Sequence, residues 1–99
     1  METKSKEEQF AEITAKMLET YKAKNHDYGD CFSVLFCELG MSYAYGHLKE
    51  KLYRIKSLIH DEAKVKGESM EDSLLDLANY AILTLLEINA SKGSETNKQ

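Results

Sequence analysis

The sequence predicts an all-α fold, a small bundle of about four helices, and three observations predict it. The 99 residues contain no proline and only five glycines, which favours long helices over short strands joined by turns. Apolar residues recur at helical spacing in two separate stretches, one near the start of the chain and one in its middle. A third stretch, from Leu74 to Ile88, is apolar nearly all round and reads as a helix that needs cover on every side. A chain of this length makes one domain, and it leaves much of its surface unburied. Residues 1–90 are expected to form that domain and 91–99 a polar, disordered tail.

The first helix is expected from about Lys6 to Lys24, because Phe10, Ile13, Met17 and Tyr21 form one stripe with Leu18 beside it. Asn25, His26, Asp27, Tyr28, Gly29 and Asp30 then break the pattern, since Asn, Asp and Gly form turns. This segment reads as a solvated turn or, more sharply, as a nucleotide-contacting loop that offers Lys24, Asp27 and Tyr28. Cys31 to Leu39 fits a short buried helix ended by Gly40. A strand there would have no partner.

The third helix is expected from about Ser42 to Ala63, with Leu48, Leu52, Ile55 and Ile59 as its stripe. His47, Lys51 and Arg54 flank that stripe, one turn apart. Glu50 and Arg54 read as a surface pair worth a few tenths of a kcal/mol. The functional alternative is that Lys51 and Arg54 border the core and reach phosphates or Asp76.

After a short connection, Ser69 is a good N-cap for the fourth helix, with Asp72 three residues on as a weaker form of the capping box. That helix is expected to run to about Ala90. Glu68, Glu71, Asp72 and Asp76 crowd its start. Acids in a first turn are expected from the helix dipole alone, but Asp76 lies a turn deeper, between Leu75 and Leu77. A charge there is costly unless it is paired or holds a metal. Asn79 lies one turn beyond it. Three companion helices, one of them short, leave the apolar fourth helix short of cover, so a homo-oligomer (dimer or higher) is expected with this helix near its interface.

Composition narrows the partners. The net charge of −4 argues against non-specific nucleic-acid binding. Cys31 and Cys37 match neither a zinc pair nor a redox motif and read as reduced thiols of a cytoplasmic protein. The N-terminal residues lack the apolar core of a signal peptide, and the apolar run around Asp76 and Asn79 is too short and too interrupted to span a bilayer, so no membrane partner is expected.

Three pieces together resemble the nucleotide modification associated domain family, found largely in phages and prophages. They are Lys24-Asn25-His26-Asp27-Tyr28-Gly29, then Lys51-Leu52-Tyr53-Arg54, then Glu68-Ser69 through Asp72-Ser73-Leu74 to Asp76-Leu77-Ala78-Asn79-Tyr80-Ala81-Ile82-Leu83. The resemblance runs from about residue 20 to residue 88. That family is in turn distantly similar to the MazG-type all-α nucleoside triphosphate pyrophosphohydrolases. The likeness implies a MazG-like bundle, an obligate oligomer and a Mg²⁺ site of carboxylates that binds triphosphates. MazG-type enzymes carry ExxE on one helix and ExxD on the next. Asp76 fits the second motif's Asp, but its Glu falls at Ser73, and the third helix has no ExxE. Asp72, Glu50 and Glu68 are then the other candidate ligands, with Glu38 a further acid in the preceding element.

The chemistry implied is that carboxylates hold Mg²⁺, the metal bridges phosphate oxygens and a bound water attacks. Lys51 and Arg54 neutralise phosphate charge, His47 and Asn79 border the site, and Tyr28 or Tyr80 stacks on a base. No catalytic residue is assigned. The first functional reading is a nucleotide-binding protein resembling a Mg²⁺-dependent (deoxy)nucleoside triphosphate pyrophosphohydrolase that acts on the nucleotide pool. The second is a non-catalytic sponge for a cyclic or ADP-ribose-type host immune signal, working in the host cytoplasm if phage-encoded. The third is a purely structural helical interaction module.

Overall fold

The computed structural model describes residues 3–28, 30–60 and 69–97, with side chains described for 3–25, 30–60 and 69–92. It is all-α: α1 (Lys6–Tyr28), α2 (Cys31–Leu39), α3 (Met41–His60) and α4 (Met70–Asn97), with no strand among the described residues. The chain divides into two compact units, Met1–Cys31 and Phe32–Gln99. No helix among the described residues is long and apolar enough to cross a membrane.

In the first unit, α1 opens with a reciprocal capping box. Ser5 Oγ accepts from Glu8 N–H at 3.1 Å, and Glu8 Oε1 accepts from Ser5 N–H at 3.1 Å. Two of the helix's otherwise unpaired donors are thereby satisfied. The helix then runs past the expected end at Lys24 and carries Asn25 to Tyr28 within it. Asn and Asp are only mildly poor helix formers, and no proline forces a stop.

In the second unit, α2 ends as expected at Gly40. Its φ is +76°, and its N–H donates to Phe36 O at 2.7 Å. This left-handed conformation is the reason for the glycine, since a Cβ there would meet nothing within 4 Å. Gly46 is the opposite case. It sits inside α3 with ordinary helical geometry and equally open space. Gly40→Ala is therefore expected to lower stability by about 1–2 kcal/mol, and Gly46→Ala to raise it by about 0.5–1 kcal/mol. Urea midpoints of the two variants check this, and equal signs would sink the account.

The fourth helix starts as the sequence suggests. Asp72 N–H donates to Ser69 Oγ at 3.1 Å, and Asp72 Oδ2 accepts from Ser69 N–H at 3.2 Å and from Ser69 Oγ at 2.9 Å. The helix continues through 91–97, past its expected end at about Ala90. Gly93 lowers helix propensity there but does not terminate an established helix as proline does. The expected third helix, by contrast, is described only to His60, and its predicted end at Ala63 lies outside the described residues.

The packed heart of this unit is the contact between α3 and α4. Small and hydroxylated residues line it. Ala44 is fully buried, and Ser73 and Thr84 are nearly so. Thr84 Oγ1 donates to Tyr80 O at 2.7 Å, a back-bond to the preceding turn that satisfies its hydroxyl. A second tie joins α2 to α4, where Ser33 Oγ donates to Glu87 Oε1 at 2.9 Å. Leu48 and Ile55 of the expected α3 stripe are half-buried, but Leu52 and Ile59 are exposed. The covered residues of α3 are Tyr43, Ala44, His47, Leu48, Lys51, Arg54, Ile55 and Leu58, of which His47 and Lys51 meet α4 side chains directly.

Candidate functional site

Two cross-helix contacts set the register of α3 on α4. Lys51 Nζ lies 3.1 Å from Asp76 Oδ2. One turn back on α3 and one turn forward on α4, the His47 and Tyr80 rings stack at 4.4 Å with an interplanar angle of 10°. The helices are therefore antiparallel, and the ion pair and the ring pair form adjacent layers of one face. The same register sets Arg54 level with Ser73, and Ala44 level with Leu83, next to Thr84.

The ring layer is larger than the sequence suggested. Phe32 of α2 approaches Tyr80 and His47, each at 6.1 Å, and Tyr43 at 5.3 Å. Tyr43 meets His47 edge-on at 4.7 Å. Such tilted and edge-on contacts suit the charge distribution of the rings. Phe32 and Tyr43 are site residues that sequence reasoning missed. Tyr43 carried a signal, since it lies one turn before His47 on the same helix face. Phe32 carried none, because only the folded chain brings α2 against α4.

The ion-pair layer answers where Asp76 points. Its partner is the ammonium of Lys51, one of the two cations the sequence offered for it. The pair is half-covered, with side-chain exposures of 24% for Lys51 and 45% for Asp76. Burial alone would lower the Lys51 pKa. The hydrogen bond and charge of Asp76, with smaller contributions from Tyr80 and Glu50, outweigh it and hold the ammonium above the usual lysine range. Burial raises the Tyr80 phenol first; Lys51 opposes that and the Asp76 and Glu50 carboxylates add to it, leaving the phenol above its usual range. At neutral pH the layer thus holds a charged Lys51 and a neutral Tyr80.

The structure brings together His47, Lys51, Asp76 and Tyr80, with exposed Glu50 close enough to act on Lys51 and Tyr80. Arg54 and Asn79 are half-buried. Arg54 lies one turn along α3 from Glu50 and Lys51, and Asn79 one turn along α4 from Asp76. Asp72 is exposed, and its Oδ2 is engaged with Ser69 in the α4 cap. Lys24 is exposed on α1. The side chains of Asp27 and Tyr28, and all of Glu68, lie outside the described residues.

No group of three or more His, Cys, Asp or Glu that could hold a metal is found among the described residues. Mg²⁺ needs only one or two protein carboxylates where waters and substrate phosphates complete its octahedron. Asp76 and Glu50 are hard oxygen donors of that type.

The face therefore offers an aromatic wall beside a cation and two carboxylates, a combination able to take a planar ring and an anionic group at once. No curated protein and no solved structure matches the chain. The sequence model of one family does, described as nucleotide modification associated domain 1, over residues 24–88. That span includes the whole ring layer, the Lys51–Asp76 pair and the α4 cap, and it is most of the chain. The protein belongs to the nucleotide modification associated domain 1 family.

Proposed function

We propose that this protein binds a nucleotide on the α3–α4 face. The observation that carries the reading is the pairing of layers. A charged lysine sits one helical turn from a stacked aromatic pair, within the span matched by a nucleotide-associated family. A base stacks on a ring face with no demand for a particular sequence of atoms, and an ammonium neutralises phosphate as a point charge. In this reading the Phe32–Tyr43–His47–Tyr80 layer receives the base and Lys51 the phosphates. Arg54, one turn away on α3, adds positive charge. Asp76 and Glu50 would hold Mg²⁺, which when bound neutralises phosphate charge and polarises a water. Excluding solvent from the base side is the task of the rings.

Turnover as a (deoxy)nucleoside triphosphate pyrophosphohydrolase, the MazG-type activity, is the catalytic form of this proposal. A second form, sequestration without turnover of a nucleotide or a nucleotide-derived host signal by a phage-type protein, is favoured by one observation. Position 73, where the catalytic motif has a glutamate, is a serine with 5% exposure inside the helix contact, and Asp72 is committed to the cap. Mass spectrometry of small molecules carried through purification identifies the ligand, and incubation with each triphosphate and Mg²⁺ separates the two forms. Intact ligand recovered after denaturation supports sequestration, and pyrophosphate release supports hydrolysis.

Lys51→Met is expected to weaken nucleotide binding by roughly ten- to a hundredfold, since a charge-assisted contact to phosphate is worth about 1.5–3 kcal/mol. Calorimetric titration against the unaltered protein measures it. If no nucleotide shifts the melting temperature and none is titrated, the helices form an interaction module only. In every form we propose that the working unit is a homo-oligomer, supported by the apolar outer face of α4.

A further inference from the structure

We propose that α1 pairs antiparallel with α1 of a second copy, through the stripe of Phe10, Ile13, Met17, Leu18 and Tyr21. This goes beyond the nucleotide reading, because the family match begins at residue 24 and leaves α1 through Ala23 outside it.

Up to Asn25, every residue of α1 is exposed except Met17 and Tyr21, which are half-buried. Phe10 is 71% exposed, Ile13 51% and Leu18 53%. Their spacing sets these side chains on one helix face. Helices in proteins draw most of their stability from packing such a face. The stripe is complementary to itself when reversed. Phe10 and Tyr21 stand equally far from the midpoint between Ala15 and Lys16, and Ile13 and Leu18 repeat the relation closer in. An antiparallel pair centred there sets Phe10 level with Tyr21 of the second copy, and Ile13 level with its Leu18.

The charges select the same direction. Glu7 borders the stripe near the helix start, and Lys22 and Lys24 border it near the end. Reversal brings Glu7 of each copy to the lysine end of the other, twice in a twofold pair. Lys6, on the other edge of the stripe, is the exception. A parallel pair sets Glu7 against Glu7 and Lys24 against Lys24, and it aligns the helix dipoles unfavourably. The other acids of the first half have local roles. Glu8 Oε1 accepts from Ser5 N–H in the cap, and Glu12 meets Lys4 Nζ at 2.7 Å.

The test is disulfide trapping in the full chain, with the exposed Cys31 and Cys37 replaced by serine. Chains carrying Phe10→Cys and chains carrying Tyr21→Cys are mixed under reducing conditions and then oxidised in a glutathione buffer. A disulfide needs Cα atoms within about 7 Å, and like positions in this pair stand about 16 Å apart along the axis. The mixture is therefore expected to give linked dimer at least about fivefold faster than either chain alone. Glu12→Cys mixed with Glu19→Cys is level in the same way but on the far face, and is expected to stay unlinked. Association through the α4 face alone gives no preference between these two faces of α1. Phe10→Cys linking to itself as fast as the mixture makes the pair parallel and overturns the proposal. A mixture no faster than the far-face control means that something else covers α1, its own chain included, and overturns it too. Glu7→Lys in both chains is expected to slow trapping about two- to fivefold, and Lys22→Glu added to it to restore the rate. A rate unmoved by the first change, or not restored by the second, overturns the antiparallel assignment. Nucleotide takes no part in the trapping, so these outcomes are independent of whether nucleotide binds.

Discussion

Ala44→Leu is expected to lower stability by about 1–3 kcal/mol and to weaken ligand binding at the same time. Ala44 has 0% exposure and is the one fully buried apolar residue among those described. It lies where α3 and α4 approach, level with Leu83 and next to Thr84, whose hydroxyl is turned back to Tyr80 O. A larger side chain at this fully covered position presses on the facing helix, and overpacking of this kind typically costs about 1–3 kcal/mol. The displaced neighbours matter for function. Tyr43 precedes Ala44 directly, and His47 follows within a turn, so a shift of α3 separates His47 from Tyr80 and Lys51 from Asp76. Tyr45→Ala is the comparison, because Tyr45 is largely exposed and its loss is expected to change stability by no more than about 0.5 kcal/mol. Urea denaturation gives the stability difference and nucleotide titration the coupled loss. Unchanged stability in Ala44→Leu would mean that the helix contact is looser than drawn here.

The contrast between these neighbours shows what was legible in the sequence. The four helices were, with the end of α2 and the start of α4, because those two boundaries depend on short-range chemistry. Gly40 ends α2 by its positive φ, and Ser69 with Asp72 starts α4 through three local hydrogen bonds. The inner face of α3 was only half legible. Hydropathy picks out Leu48, Leu52, Ile55 and Ile59, yet Leu52 and Ile59 are exposed while Ala44, His47, Lys51 and Arg54 turn inward. A small residue, an imidazole and two cations carry no apolar signal, so their contact with α4 follows from register, a tertiary property. The same limit applies to the site. Asp76 was singled out by its place in the apolar run and by the family resemblance, but Lys51 and Arg54 lie on one face a turn apart, and only the alignment of two helices brings Lys51 to it. Phe32 joins from a third helix for the same reason. The extension of α1 through Tyr28 was missed because turn-forming residues disfavour a helix without forbidding one.

The outer face of α4 carries the second large effect. Leu74, Leu75, Ile82, Leu85 and Leu86 are each more than two-fifths exposed. No charged residue occurs between Asp76 and Glu87, and Glu87 is engaged with Ser33 of α2. A surface this apolar is costly to leave in water and in soluble monomers is rare at this extent. The mass in solution is therefore expected to be at least twice the 11.3 kDa of one chain. Leu85→Glu distinguishes a covered face from a bare one by magnitude. On a bare surface the substitution changes stability by no more than about 0.5 kcal/mol. Where a second copy covers Leu85, it removes about 1.5–3 kcal/mol of apolar burial and adds the burden of burying an unpaired carboxylate. The expected result is a fall to the single-chain mass in light scattering, with a drop in melting temperature that depends on protein concentration, since the folded state is then linked to association. Leu39→Glu, on α2 and equally exposed, serves as the position-matched control and is expected to leave the mass unchanged. A single-chain mass for the unaltered protein, together with an unmoved melting temperature in Leu85→Glu, would show that this face stays in water and that the homo-oligomer is wrong.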